Sequence, residues 1–372
     1  MKAKAADIIV IGAGIVGASC ARALSLAGLK VLVLEQDYPG GGATAAGMGH
    51  VTVMDDSDAM FVLTRYSRDL WDAIVPRLSP ECEYERRGTL WVAADEEEMN
   101  VVRSKHAYYQ QRGVDSFCLD SKQLGEAEPN LRAGLSGAFV VPGDAVVYSP
   151  VVAQWLLDDA RVEVRNQARV VDVSASGVTL ADGARVAAGA TVCATGTAAV
   201  NLFPEVPVRP RKGHLAITDR YPGYVRYQII ELGYHKSAQG ESNESVAFNV
   251  QPRHTGQLLI GSSRQYGATH SSIDSAILRR MLARALEFMP GLASLSIIRT
   301  WTGFRAATAD KLPLIGPHPG RDNVYLATGH EGLGITMSLG TGELIADLVL
   351  GRQSAIPVEP YLPVRMMQFA HA

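Results

Sequence analysis

Along the 372-residue chain the apolar positions fall into short runs whose spacing changes from one segment to the next. Ile8 to Ile11 is a continuous apolar run of strand length, Val16 to Ala27 has helical spacing and good helix formers, Gly28 ends it, and Val31 to Leu34 is a second buried-strand run. These segments predict a βαβ unit. The stretch "YPGGGATAAGMGH" that follows is too rich in glycine for a helix interior and is expected to be a loop, with a helix next over Ala59 to Val75. Residues 95 to 112, "DEEEMNVVRSKHAYYQQR", predict a further helix with acids in its first turn, where the helix dipole favours them.

From about Ala145 the pattern returns to short β-rich runs broken by Gly and Asp-Gly turns, closing on an apolar strand that ends in Thr195 and Gly196. Residues 211 to 304 differ, with strands such as "VAFNV" and "QLLIGSS" and one helix near 275 to 288. The last segment, "NVYLATGHEGLGITMSLGTGELIADLVLG", reads as a strand, a glycine loop and a helix closed by Gly351. The expected organisation is an α/β nucleotide domain, discontinuous over 1–82, 144–209 and 310–372, with a second domain over 83–143 and 210–309 inserted into it.

Composition narrows the function classes. A net charge of -3 supplies no electrostatic footprint for nucleic acid or an anionic membrane. Cys20, Cys82, Cys118 and Cys193 are scattered, so neither a zinc nor an iron–sulfur site arises from neighbouring cysteines; reduced core thiols are the expectation. The apolar start runs straight into glycines and lacks a cleavage region, and no apolar run reaches the roughly 18 residues that span a membrane, so a cytoplasmic protein is expected.

The candidate chemistry begins at "VIGAGIVG". Gly12 permits a tight turn, Gly14 lets backbone approach a pyrophosphate, and Gly17 lets helix and strand pack closely. The helix N-terminus offers N–H groups to an anion. Glu35, at the end of the second strand and 18 residues after Gly17, is placed to accept from a ribose diol, which disfavours a 2′-phosphate. A tight turn without a ligand explains the glycines alone, but not the strand, helix and acid around them. The motif does not choose between nicotinamide and flavin.

The pieces "VIGAGIVGASCARALSLAGLKVLVLE", "ATAAGMGH", "VCATG", "WTGFRAATADKLPLIGP" and "LATGHEGLGITMSLGTGELIADL" occur in an order that resembles the FAD-dependent D-amino-acid oxidase and glycine oxidase family, and most of all the flavin subunits of hydroxyproline and opine dehydrogenases. The resemblance spans nearly the whole chain and is weak from about 80 to 140 and 215 to 295. It implies a Rossmann-like FAD domain of glutathione-reductase type and a substrate domain on a mixed or antiparallel sheet. It also implies site residues. Gly12, Gly14, Ile15, Val16 and Gly17 would line the pyrophosphate, and Glu35 and Gln36 the adenosine ribose. Thr44, Ala46, Gly47 and Met48 would touch phosphates or the flavin edge. Val170 would meet adenine through its backbone, Gly196 lies in the matching "VCATG" loop, and His330, Glu331, Gly332, Leu333, Gly334, Ile335 and Thr336 would wrap the isoalloxazine ring. Ala45 and Gly303 stand where some relatives carry a flavin-attaching His or Cys, so noncovalent FAD is expected.

Arg305 matches the family's carboxylate-binding arginine, a role suited to a planar guanidinium. His50 is a candidate for the substrate face, with a structural hydrogen bond as its alternative; Asn249, Gln251 and Arg264 lie on or beside strands expected to roof the pocket. The implied reaction is oxidation of the C–N bond of a small amino or imino acid, of D-amino-acid or D-proline/D-hydroxyproline type, by hydride transfer from Cα to flavin N5 followed by imine hydrolysis. The alternatives are a glycine- or sarcosine-type oxidase using oxygen, and a flavin electron-relay subunit of an opine-dehydrogenase-like complex. The strand "QLLIGSS" lacks the lysine that sarcosine oxidase-like sequences place near flavin, which favours a partner subunit or a quinone as electron acceptor.

Overall fold

The computed structural model describes residues 6–233 and 244–367. The chain forms two compact units: Met1–Cys82, Val147–Pro210 and Phe304–Ala372 make the first, Glu83–Val146 and Arg211–Gly303 the second.

In the first unit the strand Ala6–Ile11 lies between Val31–Leu34 and Arg185–Cys193, parallel to both, with Val10 opposite Val33 and Val192. Glu163–Arg165 continues the sheet on one side; on the other come Val324–Thr328, parallel, and then Leu314–Pro317, antiparallel. Ile9, Val10 and Val33 are fully buried, as expected of a parallel sheet covered on both faces. Chain order reverses across Ala6–Ile11, which makes its carboxyl end a topological switch point, the place where open α/β sheets form a ligand crevice.

The helix Ile15–Leu26 leaves that point and packs on the helix Gly334–Leu350. The two backbones come so close that a Cβ at Gly342 would sit 2.6 Å from the Ser19 carbonyl oxygen. Gly340 makes a similar approach to Asp58–Ile74, where a Cβ would collide with Ser67 Oγ. The segment Glu331–Leu350 is long and apolar enough to cross a membrane by composition, yet 56% of its apolar window is buried within the protein, where it serves as a core helix.

Three local expectations shift. The first helix begins at Ile15 rather than Val16. The strand expected to end in Thr195 and Gly196 stops at Cys193, because Gly196, at φ +56, opens a 3-10 turn. The glycine-rich segment expected as a loop contains one helical turn, Gly42–Ala46. Its Ala-Thr-Ala-Ala core favours helix once the glycines are left at the ends, and Ser149 Oγ donates to the Thr44 carbonyl.

The second unit is built on an eight-stranded mixed sheet in the order Ile297–Ala307, Arg209–Arg220, Gln257–Tyr266, Glu244–Pro252, Gln228–Glu231, Thr89–Ala93, Gly137–Val141, Phe117–Asp120, the first two strands of which belong to it up to Gly303 and from Arg211. Gln228–Glu231 and Thr89–Ala93 run parallel, while Gln228–Glu231 is antiparallel to Glu244–Pro252 and Thr89–Ala93 to Gly137–Val141. Leu90, Ile229, Val250 and Ile260 stand on one face and enter an apolar core with the helix Ser275–Phe288, where Phe248 stacks on Phe288 at 4.8 Å. Asp274 caps that helix through the Ala276 and Ile277 N–H groups. The acidic segment at 95–112 forms the helix Glu96–Gln111, with Asp95 accepting from the Glu98 N–H.

The backbone contact at Gly342 supplies a stability test. Gly342→Ala forces the two helices apart against backbone atoms and should cost about 1–3 kcal/mol, read as a lowered denaturation midpoint of the FAD-loaded protein. An unchanged midpoint would show that the contact relaxes freely.

Candidate active site

The turn after Ile11 is set by backbone crowding. The Gly12 N–H donates to the Leu34 carbonyl, and its φ of +98 belongs to the region that favours glycine. A Cβ at Gly17 would lie 2.0 Å from the Gly12 carbonyl oxygen, so no larger residue fits where the helix crosses the turn. Gly14 caps the helix with no side-chain hydrogen bond, and the Ile15 N–H donates to Thr44 Oγ1 at 3.0 Å. The result is a helix N-terminus with a backbone-lined approach, suited to an anion.

Glu35 is almost fully buried and braces this turn. Its Oε2 accepts from the Ala13 N–H at 2.7 Å and its Oε1 from the Asp37 N–H at 2.9 Å, which leaves further lone pairs for a diol. The Ala168 N–H donates to the Glu35 carbonyl, which brings the strand beginning at Val170 beside the acid; Gln36 is exposed at the same edge.

Remote segments meet at the other end. A Cβ at Gly334 would lie 3.8 Å from Val16 Cγ2, and one at Gly47 would lie 3.1 Å from Ile335 Cδ1. Thr336 Oγ1 accepts from the Thr52 N–H and donates to the His50 carbonyl, while Trp71 Nε1 donates to the Thr336 carbonyl. Thr328 Oγ1 donates to the Gly196 carbonyl and so ties the "VCATG" loop to the strand that feeds the last glycine loop. Glu331 holds a positive φ of 50 and its Oε2 accepts from the Gly332 N–H, while Leu333 starts the long helix without a side-chain cap. Arg305 belongs to the same unit: a Cβ at Gly332 would be 3.7 Å from its Nε. Val16, Gly47, His50, Arg305 and Gly332 to Thr336 are thus brought together, with Met48 and Ala46 in the segment between them.

Asn249 belongs to the second unit, on the face of its sheet turned away from the apolar core; Gln251 and Arg264 are buried there too. Sequence patterns did not reveal Thr52, Trp71, Thr328 or Thr341, whose hydrogen bonds join positions up to 284 residues apart. No local motif marks them.

An FAD-sized ligand fits this donor set: two helix N-termini whose N-cap residues, Gly14 and Leu333, supply no side-chain cap, glycines where a Cβ would fill the cradle, and an acid fixed by backbone N–H groups for a ribose. Residues 7–348 match the family model described as FAD dependent oxidoreductase, DAO. The chain belongs to the DAO family. It is 29% identical to a glycine oxidase of Pseudomonas aeruginosa over 96% of this chain and 98% of that protein. Among solved structures, a glycine oxidase from Geobacillus kaustophilus superposes with a TM-score of 0.86 at 26% identity, covering 97% of this chain and 98% of that one. An L-proline dehydrogenase from P. horikoshii shares the fold, with a TM-score of 0.88 at 22% identity over 98% of each chain. The family resemblance read from the motifs therefore holds, as does the α/β fold with a Rossmann-like FAD-binding domain. As a DAO-family enzyme the protein uses FAD to oxidise amines or amino acids.

Within this DAO-family site His330 is neutral. It is buried, its Nε2 lies 2.9 Å from Thr341 Oγ1, and burial pushes its pKa down from 6.5 to about 3. The native state therefore binds fewer protons than the unfolded chain between those values. The stabilisation is complete above 6.5 and is lost as pH falls toward 3. At the limit this single group costs about 1.4 kcal/mol per pH unit in that window. His330→Gln, which keeps a polar partner for Thr341 without a titrating ring, should flatten the acid limb of denaturation free energy against pH. An identical acid limb in the variant would remove His330 from the account.

Proposed function

We propose that this enzyme oxidises the C–N bond of a small amino or imino acid, of D-amino-acid or D-proline/D-hydroxyproline type, with noncovalently held FAD. The observation that carries the reading is Arg305 beside Gly332 at the entrance to the last glycine loop. A guanidinium there grips a carboxylate through two parallel hydrogen bonds and so fixes the pose of the adjacent Cα. Gly332 carries no side chain, which leaves Arg305 without a second arginine from that loop. Bound FAD supplies the two-electron acceptor, and the imine produced hydrolyses in water. The chain's own residues position and shield. His330, neutral and tied to Thr341, holds the loop rather than taking a proton. Thr336 clamps the segment at His50 and Thr52 to the same loop. His50 is a proposed substrate contact within the same unit. Ala45 and Gly303 offer no nucleophile for a flavin bond.

A second reading, a glycine-type oxidase that passes electrons to oxygen, is favoured by the names of the similar proteins in Pseudomonas aeruginosa and Geobacillus kaustophilus. The strand Gln257–Tyr266 carries no lysine, which supports a partner subunit or quinone as acceptor instead.

Anaerobic mixing with D-amino acids, D-proline, D-hydroxyproline, glycine and sarcosine separates the two readings by which compounds bleach the flavin. Rapid reoxidation by oxygen with hydrogen peroxide formed would decide for the oxidase. Arg305→Ala is expected to retain FAD while the apparent substrate Kd rises roughly 100-fold or more, the scale of a lost buried charge pair. Unchanged affinity sinks the carboxylate assignment.

A further inference from the structure

Arg305 and the last glycine loop both belong to the first unit, and Gly332 is where they meet. A Cβ at Gly332 would lie 3.7 Å from Arg305 Nε and 3.8 Å from its Cδ, so the arginine packs on the bare Cα of the loop. The N–H of the same glycine donates to Glu331 Oε2 at 2.6 Å. One glycine therefore has a guanidinium packed on its Cα and a carboxylate bonded to its N–H.

Glu331 is an unexpected residue at its position. Its φ of +50 lies in the left-handed region, which is costly for a residue with a Cβ and is met without cost by Gly329 two positions earlier, at φ +78. The short bond to Gly332 fixes where the charge of this half-buried side chain stands. In the loop 329–336 it is the one formal charge, since burial keeps His330 neutral. On the other segment, Asp310 and Lys311 lie beyond the end of the strand at Ala307, and Asp310 is bonded to Arg365. From these two segments, a ligand at Gly332 meets one cation, Arg305, and one anion, Glu331.

We propose that Glu331 is a specificity-determining residue that sorts substrates by charge, so that the site takes amino or imino acids with one carboxylate and a neutral or cationic remainder and rejects dicarboxylates. The inference rests on the carboxylate role of Arg305 given above and names the substrate class within it. One carboxylate satisfies one guanidinium. A zwitterion is nearly indifferent to Glu331, which repels its carboxylate and attracts its ammonium. A second carboxylate finds no second arginine in the loop, because position 332 is glycine, and it enters the field of Glu331. A second ammonium gains from the same field. Across one residue of a partly screened loop, a unit charge changes affinity by roughly threefold or more.

The test uses the FAD-loaded full chain with ligands matched in shape and differing in charge. Succinate and succinamate, read by their perturbation of the flavin absorbance, compare a dianion with its monoanionic isostere. Glutamate, glutamine and ornithine, in both enantiomers and without oxygen, extend the comparison to flavin reduction. The wild type should favour succinamate over succinate, and glutamine and ornithine over glutamate. Glu331→Gln keeps an acceptor for the Gly332 N–H and removes the charge. It should shift the ratio of the succinate and succinamate Kd values toward the dianion by roughly threefold or more, and shift ornithine against glutamine the opposite way. A merely structural role would change both members of a pair alike and leave each ratio where it was. Glu331→Gly, which suits the positive φ, decides the matter if Glu331→Gln fails to load FAD. A ratio that neither variant moves, or a wild type that prefers the dianions, overturns this proposal while carboxylate binding at Arg305 stands. If Arg305→Ala binds all of these ligands as tightly as the wild type, the carboxylate reading itself falls and this inference with it.

Discussion

The first unit depends on backbones approaching more closely than any side chain allows. Gly17 lies over the Gly12 carbonyl, and Gly342 lies against the Ser19 carbonyl, so the helix after the first strand is held between its own turn and the long C-terminal helix. That contact does two things at once. It sets the N-terminus of Ile15–Leu26 at the carboxyl end of the parallel strands, and it brings the start of Gly334–Leu350 to the same place. Two partial positive charges then converge on one crevice, which accounts for a site suited to an extended, doubly anionic cofactor.

Around this contact the site is stitched by hydrogen bonds from side chains to backbone. Thr44 receives the Ile15 N–H, Glu35 receives those of Ala13 and Asp37, and Thr336 bridges the backbones at Thr52 and His50. None of these residues requires a change of charge to act. The one imidazole in the loop whose pKa is displaced, His330, is displaced toward neutrality by burial. The arrangement suits a reaction in which the protein's part is orientation and exclusion of water, with the electron chemistry delegated to the cofactor.

The second unit solves a different problem. Its sheet buries apolar residues on one face in the ordinary way, and on the other keeps buried amides, one of which, Gln228, donates to a Thr89 hydroxyl that itself donates to the Asp144 carboxylate. Buried polar groups are costly to maintain without partners.

Local pattern was enough for much of the fold. Ile8 to Ile11 and Val31 to Leu34 are strands because continuous apolar runs of that length are stable when buried on both faces, and the glycine spacing with Glu35 fixed the family of ligand. The helix Ser275–Phe288 was legible from its apolar spacing. The one-turn helix at Gly42–Ala46 was not, because its flanking glycines mask an alanine-rich core four residues long. The orientation of Asn249 was also hidden: alternation says which residues share a face but not which face meets the core, and that waits on the neighbouring strands. Gln228 lay in a four-residue strand with no alternation to read, and became visible only through Thr89, 139 positions away. Secondary structure and cofactor motif are written in neighbouring residues, whose steric and hydrogen-bonding preferences act over a few positions. The acceptors, clamps and neutral histidine arise from burial and from partners far apart in the chain, quantities that exist only once it has folded.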